Sequence, residues 1–204
     1  MRLRTVMVSL AGPVAFAIAE RIAARMEPGY RRRDEPVSAL AARGSRGAPV
    51  MVSGFVGLAA GSVALAGVLR GSVVAPEPVP SMLVIAGLTT AGAGLARCSD
   101  RSCPTRFLGD VDVARVDDLH AAFSVATFAM WIAIPLVAAV RAEDAGRGYR
   151  RACAAIGVAT LGGFIGAGLA ARRPSPVWSG AAQRAMLASA LLWFPVAGIA
   201  AARG

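Results

Sequence analysis

The chain has 204 residues, of which 56% are hydrophobic and 17% charged, against about 25% charged for an ordinary soluble domain. Its formal net charge is +10, yet no basic face accompanies a soluble core, so nucleic acid is not expected as a partner and membrane lipids are. All 22 basic residues are arginine, with no lysine or asparagine; together with the alanine and glycine richness this is the bias of a high-GC, bacterial type of genome rather than a set of phosphate ligands.

Six apolar runs follow one another, at 5–25, 50–69, 79–96, 120–140, 152–171 and 182–202. A helix rising 1.5 Å per residue needs about 20 residues to cross the hydrocarbon core, and backbone inside a bilayer must satisfy its own hydrogen bonds, so each run predicts a transmembrane helix. The expected fold is all-α, an integral membrane bundle of about six helices forming a single transmembrane domain over 1–204. Arg2 and Arg4 precede the first run, and Ala15-Phe16-Ala17 faintly resembles a signal-peptidase site. The run nevertheless continues past Glu20 and Arg21 to Met26, which predicts a retained helix.

The connecting segments are unequal. The first, 26–49, is long and basic; the second, 70–78, is short and proline-rich; the third, 97–119, carries Cys98, Cys103 and five aspartates; the fourth, 141–151, is short and charged; the fifth, 172–181, holds Pro174, Pro176 and Trp178. Six spans place loops one, three and five on one face and both termini on the other. Eight arginines fall on the terminal face and fourteen opposite, a raw count that favours termini outside. The opposite face has more than twice the loop length, however, so the densities nearly cancel. Two neighbouring cysteines beside an aspartate-rich loop suit an oxidising exterior. The expectation is a plasma-membrane protein with cytoplasmic termini.

Gly57 and Gly61, and Gly162 and Gly166, are spaced four apart within single runs, which lets helix backbones approach closely. Packing within the chain is the simpler use of these faces, and a homo-oligomer the alternative.

Several motifs occur in order. Val37-Ser38-Ala39-Leu40 is a Ser-x-Leu-like element after the first helix, and Gly47-Ala48-Pro49 a Gly/Pro turn into the second. A proline- and aspartate-containing loop runs from Cys103-Pro104 to Asp117-Asp118-Leu119-His120, with Ala121-Ala122-Phe123 following. The last helix has Gly180 and Arg184 as Gly-x-x-x-Arg, with Trp193 further on. In this arrangement the chain resembles, over nearly its whole length, the prokaryotic multi-pass membrane family catalogued as domain of unknown function 998. The resemblance implies six helices and no assigned activity. The long 97–119 loop with its cysteine pair, and the arginine run before Ser38, depart from the family pattern.

Polar groups at membrane depth are costly and mark candidate sites. Glu20 lies near the end of the first run, His120 opens the fourth just after Asp117 and Asp118, and Gln183 and Arg184 open the sixth shortly after Trp178. All belong near the face that also bears Ser38, so a cluster of Glu20, Asp117, His120 and Arg184 at one mouth of the bundle is expected, the carboxylates offsetting Arg184. Each has a plainer use as well. His120 suits an interfacial residue paired with Asp117; Arg184 suits snorkelling to headgroups or anchoring Glu20. Asp117 and Asp118 complement a helix dipole, and Trp178 suits an interfacial anchor.

Cys98, Cys103, Asp110, Asp112, Asp117 and His120 form a run of possible ligands, but the spacing matches no zinc pattern and there is one histidine, so no metal is expected. A Cys98–Cys103 disulfide would close a tight loop, while Cys153 sits in an apolar run as a small packing residue. With no P-loop, nucleophile elbow or dinucleotide fingerprint, no cofactor is expected.

Three functional classes follow. The first is a binding or accessory protein that holds a lipid-like or hydrophobic small molecule at the mouth near His120, with Arg184, Asp118 and Trp178 as further contacts. The second is a membrane-embedded enzyme acting on an isoprenoid- or lipid-like substrate, with Glu20, Asp117 or His120 as catalytic proton donors. The third, a small transporter or channel subunit, lacks an inverted repeat or a matched pair of broken helices.

Overall fold

The computed structural model describes residues 2–101, 115–171 and 178–203. Among them are six α-helices: α1 (Arg2–Met26), α2 (Ala48–Leu69), α3 (Val79–Leu95), α4 (Arg115–Arg141), α5 (Arg147–Ala171) and α6 (Ser179–Arg203). No strand occurs among the described residues. Five of the helices are long and apolar enough to span a bilayer. The sixth, α3, has 17 residues and rises about 25 Å, close to the ~30 Å hydrocarbon thickness.

Five expected spans fall inside the observed helices, and the third ends one residue early, at Leu95. The helices outrun their apolar windows because hydropathy marks only the hydrocarbon-embedded turns, while backbone hydrogen bonding continues into the arginine-bearing ends. The difference matters most in α4. It begins at Arg115 rather than at 120, so His120 lies beyond the first turn instead of at the helix start. Asp117 and Asp118 occupy that first turn, where the helix dipole favours negative charge.

Each helix packs on its chain neighbours, and α6 returns to pack on α1, closing a six-membered ring. The outer surface is apolar. Along α1, Leu3, Met7, Leu10, Val14, Ile18 and Ile22 are all exposed, a stripe at helical spacing that only a lipid environment leaves unpenalised. The chain is therefore a multi-pass membrane protein.

Lipid tails supply no hydrophobic force between helices, so contact depends on close fit. A Cβ on Gly61 of α2 would sit 2.5 Å from the Gly12 Cα of α1, so both glycines are used within the chain. Gly198 of α6 meets Ser9 of α1 in the same manner, and Gly163 of α5 faces the Met186 backbone of α6. Gly57 also faces α1, through Ala15, whereas Cβ atoms at Gly162 and Gly166 would meet nothing within 4 Å among the described residues.

The terminal face is closed by the short second loop. Val74, Ala75 and Val79 are buried there, and the Tyr149 hydroxyl donates to the Val74 carbonyl at 2.8 Å. On the opposite face the first loop turns inward. Its short 3-10 turn, Val37–Ala41, is buried throughout, so this segment is a plug in the ring rather than a solvated connection.

Candidate functional site

Beneath that plug lies a cavity of about 230 Å³, with walls from all six helices and from Pro36, Val37 and Ser38 of the first loop. Its lining is largely apolar, with Phe16, Phe55, Phe128, Phe164 and Leu187 among the contributors. α4 supplies the longest wall, through His120, Ser124, Thr127, Phe128 and Trp131. His120 and Trp131 are eleven residues apart, which returns to nearly the same side of a helix after three turns and separates them by about 16 Å along its axis. The cavity is thus elongated along the bundle.

His120 is buried, and its Nδ1 lies 2.8 Å from the Ala93 carbonyl and 3.0 Å from the Ala96 carbonyl. Both oxygens belong to the C-terminal turn of α3, where helical carbonyls lack intrahelical donors. A carbonyl only accepts, so Nδ1 carries the hydrogen and Nε2 is the acceptor of the neutral ring. Among the described residues Nε2 has only a long contact, 3.4 Å, to the Ser124 hydroxyl. Gln183 lines the cavity from α6 and accepts the Val37 amide at 2.6 Å, seating the plug.

Glu20 and Arg184 are joined directly, and neither lines the cavity. Glu20 accepts from Arg184 Nε and Nη2 at 3.0 and 2.8 Å, and from Arg32 Nε and Nη2 at 3.1 and 2.8 Å. Arg184 also donates to the carbonyls of Arg32, Glu35 and Gly180 and to the Tyr30 hydroxyl. Every direction of the Arg184 fork is therefore used in gripping the first loop. Burial pushes the Tyr30 hydroxyl above its usual range, against the lowering effect of Arg184.

A second set of contacts ties the same loop to the third. Arg97 donates to the carbonyls of Ala41 and Ala42 at 3.0 and 3.1 Å. Arg101 bridges Glu35 and Glu27. Glu27 also accepts from the Ser45 hydroxyl at 2.7 Å and the Arg46 amide at 2.6 Å. The Ser45 bond, with the Arg46 amide and the Arg101 charge adding to it, holds the Glu27 carboxyl below the usual range against the opposing effect of burial.

The remaining candidates are dispersed. Asp117 is buried and accepts from the Ser99 amide and hydroxyl, both at 2.6 Å. It anchors α4 to the chain following α3 and makes no hydrogen bond to His120. Asp118 is exposed. Trp178 is exposed as well, with the Arg33 guanidinium stacked over its ring at 5.0 Å. It takes a positive φ of 76°, uncommon for a bulky residue, while its amide donates to Asp34 at 3.3 Å. Cys98 is buried and disulfide-bonded; Cys103, Asp110 and Asp112 lie outside the described residues. Cys153 is a buried free thiol.

The family model described as "Protein of unknown function (DUF998)" matches residues 10–200. The chain belongs to this family. No curated protein and no solved structure matches it. The motifs that carried the DUF998 resemblance acquire physical roles in the bundle. Gly180 lies beneath the first loop, where a Cβ would collide with the Glu35 and Arg32 carbonyls, and Arg184, one turn on, binds those same two oxygens. The Gly-x-x-x-Arg element of this DUF998 chain is thus a socket for the first loop. Trp193 is fully buried against Phe194 in the core. Ser38 belongs to the plug wall, and His120 caps α3 from within the cavity.

Ser124, Trp131, Arg32, Tyr30 and Arg101 are the participants that sequence reasoning did not single out. Ser124 and Trp131 had a signal, since both fall on the His120 side of α4 at four and eleven residues. Arg32 had none: nothing along the chain separates it from Arg31 and Arg33.

Proposed function

We propose that this protein is a membrane-embedded receptacle for a hydrophobic small molecule, held inside the ring with its polar end near His120. The observation that supports this reading is the elongated 230 Å³ cavity beneath the first-loop plug, apolar along most of its wall. An engineered apolar cavity of roughly 150 Å³ is already enough to bind benzene. The ligand contacts are His120, Ser124 and Gln183 rather than Arg184, Asp118 or Trp178, whose groups are engaged elsewhere or exposed. The acid–base reading has less support, because Glu20 is neutralised by two arginines and Asp117 is held by Ser99, both outside the cavity wall.

The protein belongs, on this reading, in the plasma membrane with cytoplasmic termini. The oxidised state of Cys98 supports an exterior position for the third loop.

Gly168 provides the test. It lines the cavity, and a Cβ placed there meets nothing within 4 Å among the described residues, so Gly168→Leu adds bulk at the cavity wall with no clash at its Cβ. Native mass spectrometry of gently purified protein should show one enriched small molecule in the wild type and its loss in the variant. A bulk-lipid profile in both would refute the proposal.

A further inference from the structure

The polar groups that face the cavity, and those that do not, limit the chemistry of its occupant. Among the described residues, no carboxylate, arginine or other formally charged side chain lines it. Glu20 is paired with Arg32 and Arg184 outside its wall, and Asp117 accepts two hydrogen bonds from Ser99. An ionised headgroup drawn into this space would lose its water and find no counter-ion, a heavy penalty in a weakly polar medium.

The uncharged groups are more specific. His120 Nδ1 is committed to two carbonyl oxygens, which leaves Nε2 as an acceptor whose one contact, to Ser124, is long. An acceptor selects a donor. About three turns deeper in the same wall, Trp131 is 4% exposed and its indole Nε1 is buried with no partner among the described residues. Thr90 and Thr127, the hydroxyls between these two points, already donate to Ala86 and Thr89. The middle of the cavity therefore asks for nothing polar.

Resting on the receptacle reading above, we propose that the occupant is an uncharged, elongated molecule bearing a hydroxyl, such as a long-chain alcohol, whose O–H donates to His120 Nε2 beside Ser124 while its chain runs toward Trp131. Anionic lipids and fatty acids are disfavoured by the absence of a charged partner. Heads that only accept, such as ethers and esters, could take the Gln183 amide N–H but leave His120 Nε2 without a donor.

Four probes of one chain length decide this on the intact wild-type protein in detergent: decan-1-ol, decyl methyl ether, decanoate at pH 8 and decane, each titrated calorimetrically. The alcohol should bind saturably, about tenfold tighter than the ether and at least about a hundredfold tighter than the carboxylate. In His120→Phe the preference of alcohol over ether should vanish. If that variant does not fold, Ser124→Ala with the wild-type ranking serves instead, because the ranking itself requires no mutation. Decanoate or the ether binding as tightly as the alcohol would overturn the hydroxyl assignment and leave the receptacle reading intact. No probe binding more tightly to wild type than to Gly168→Leu would overturn the receptacle reading itself.

Discussion

Arg184→Met removes the guanidinium while keeping most of the side-chain stem, and so tests whether this arginine is the clasp of the first loop. Six hydrogen bonds disappear: two to Glu20, three to the carbonyls of Arg32, Glu35 and Gly180, and one to Tyr30. The Arg184 and Glu20 side chains are 18% and 7% exposed, so the pair is largely shielded from water. Glu20 retains Arg32, whose side chain is 44% exposed; that second pair is screened and offsets only part of the loss. Breaking a buried pair from one side costs about 3–5 kcal/mol, and the bonds within it do not add independently. For a chain of this size 1 kcal/mol moves Tm by about 2–4 °C, so a fall of roughly 6–20 °C is expected. The assay is thermal unfolding in detergent followed by tryptophan fluorescence, with hydrogen exchange over residues 27–47 locating the damage. Arg184→Lys, which keeps the charge and loses the fork, should fall between the two. A shift no larger than that of Arg203→Ala at the end of α6, or unchanged exchange in the first loop, would refute the clasp.

Other outcomes follow from the same contacts. Gly180→Ala should destabilise as strongly as Arg184→Met, because its Cβ collides with loop carbonyls that cannot retreat without breaking the clasp; wild-type thermal stability in this variant would contradict the close approach. The Glu27 carboxyl is depressed in the folded chain, chiefly by Ser45. Its contribution is therefore complete above the ordinary carboxyl range, near pH 4.3, and is lost as pH falls through the lower folded value. Protease sensitivity of the first loop should accordingly rise on acidification below about pH 4, and Glu27→Gln should flatten that rise. Disulfide-bonded Cys98 and buried Cys153 predict no labelling of intact cells by an impermeant thiol reagent until reductant is added, after which the third loop alone should react. Labelling at Cys153, or none after reduction, would contradict the arrangement.

The six runs of apolar residues were legible along the chain because insertion into hydrocarbon is decided segment by segment, by each helix's own length and polarity. The same holds for the even number of spans and for the shared face of Glu20, His120 and Arg184. The family resemblance marked Gly180 with Arg184, and spacing marked Gly57 with Gly61, as pairs on one helix side. Neither could say what they face. A Cβ at Gly61 would meet Gly12, while at Gly162 and Gly166 it would meet nothing within 4 Å among the described residues, a distinction set by how each helix is rotated within the ring.

The candidate site was less legible for the same reason. Glu20 and Arg184 are 164 residues apart and meet only because α6 closes on α1. Arg32, rather than its two arginine neighbours, joins them because the first loop turns inward at that point. Hydropathy alone makes that loop a basic connection outside the membrane; its burial depends on Gly180, Gln183, Arg97 and Arg101, from two other parts of the chain. His120 was visible as a rare polar residue, but its partners are carbonyls of α3, and backbone atoms carry no signature in a sequence. What this sequence determined by itself is a six-helix membrane chain of one family. The tertiary structure alone decided that arginines and carboxylates pair around a plug and that no charged side chain among the described residues lines the cavity beneath, because charge pairing and cavity shape depend on residues brought together from opposite ends of the chain.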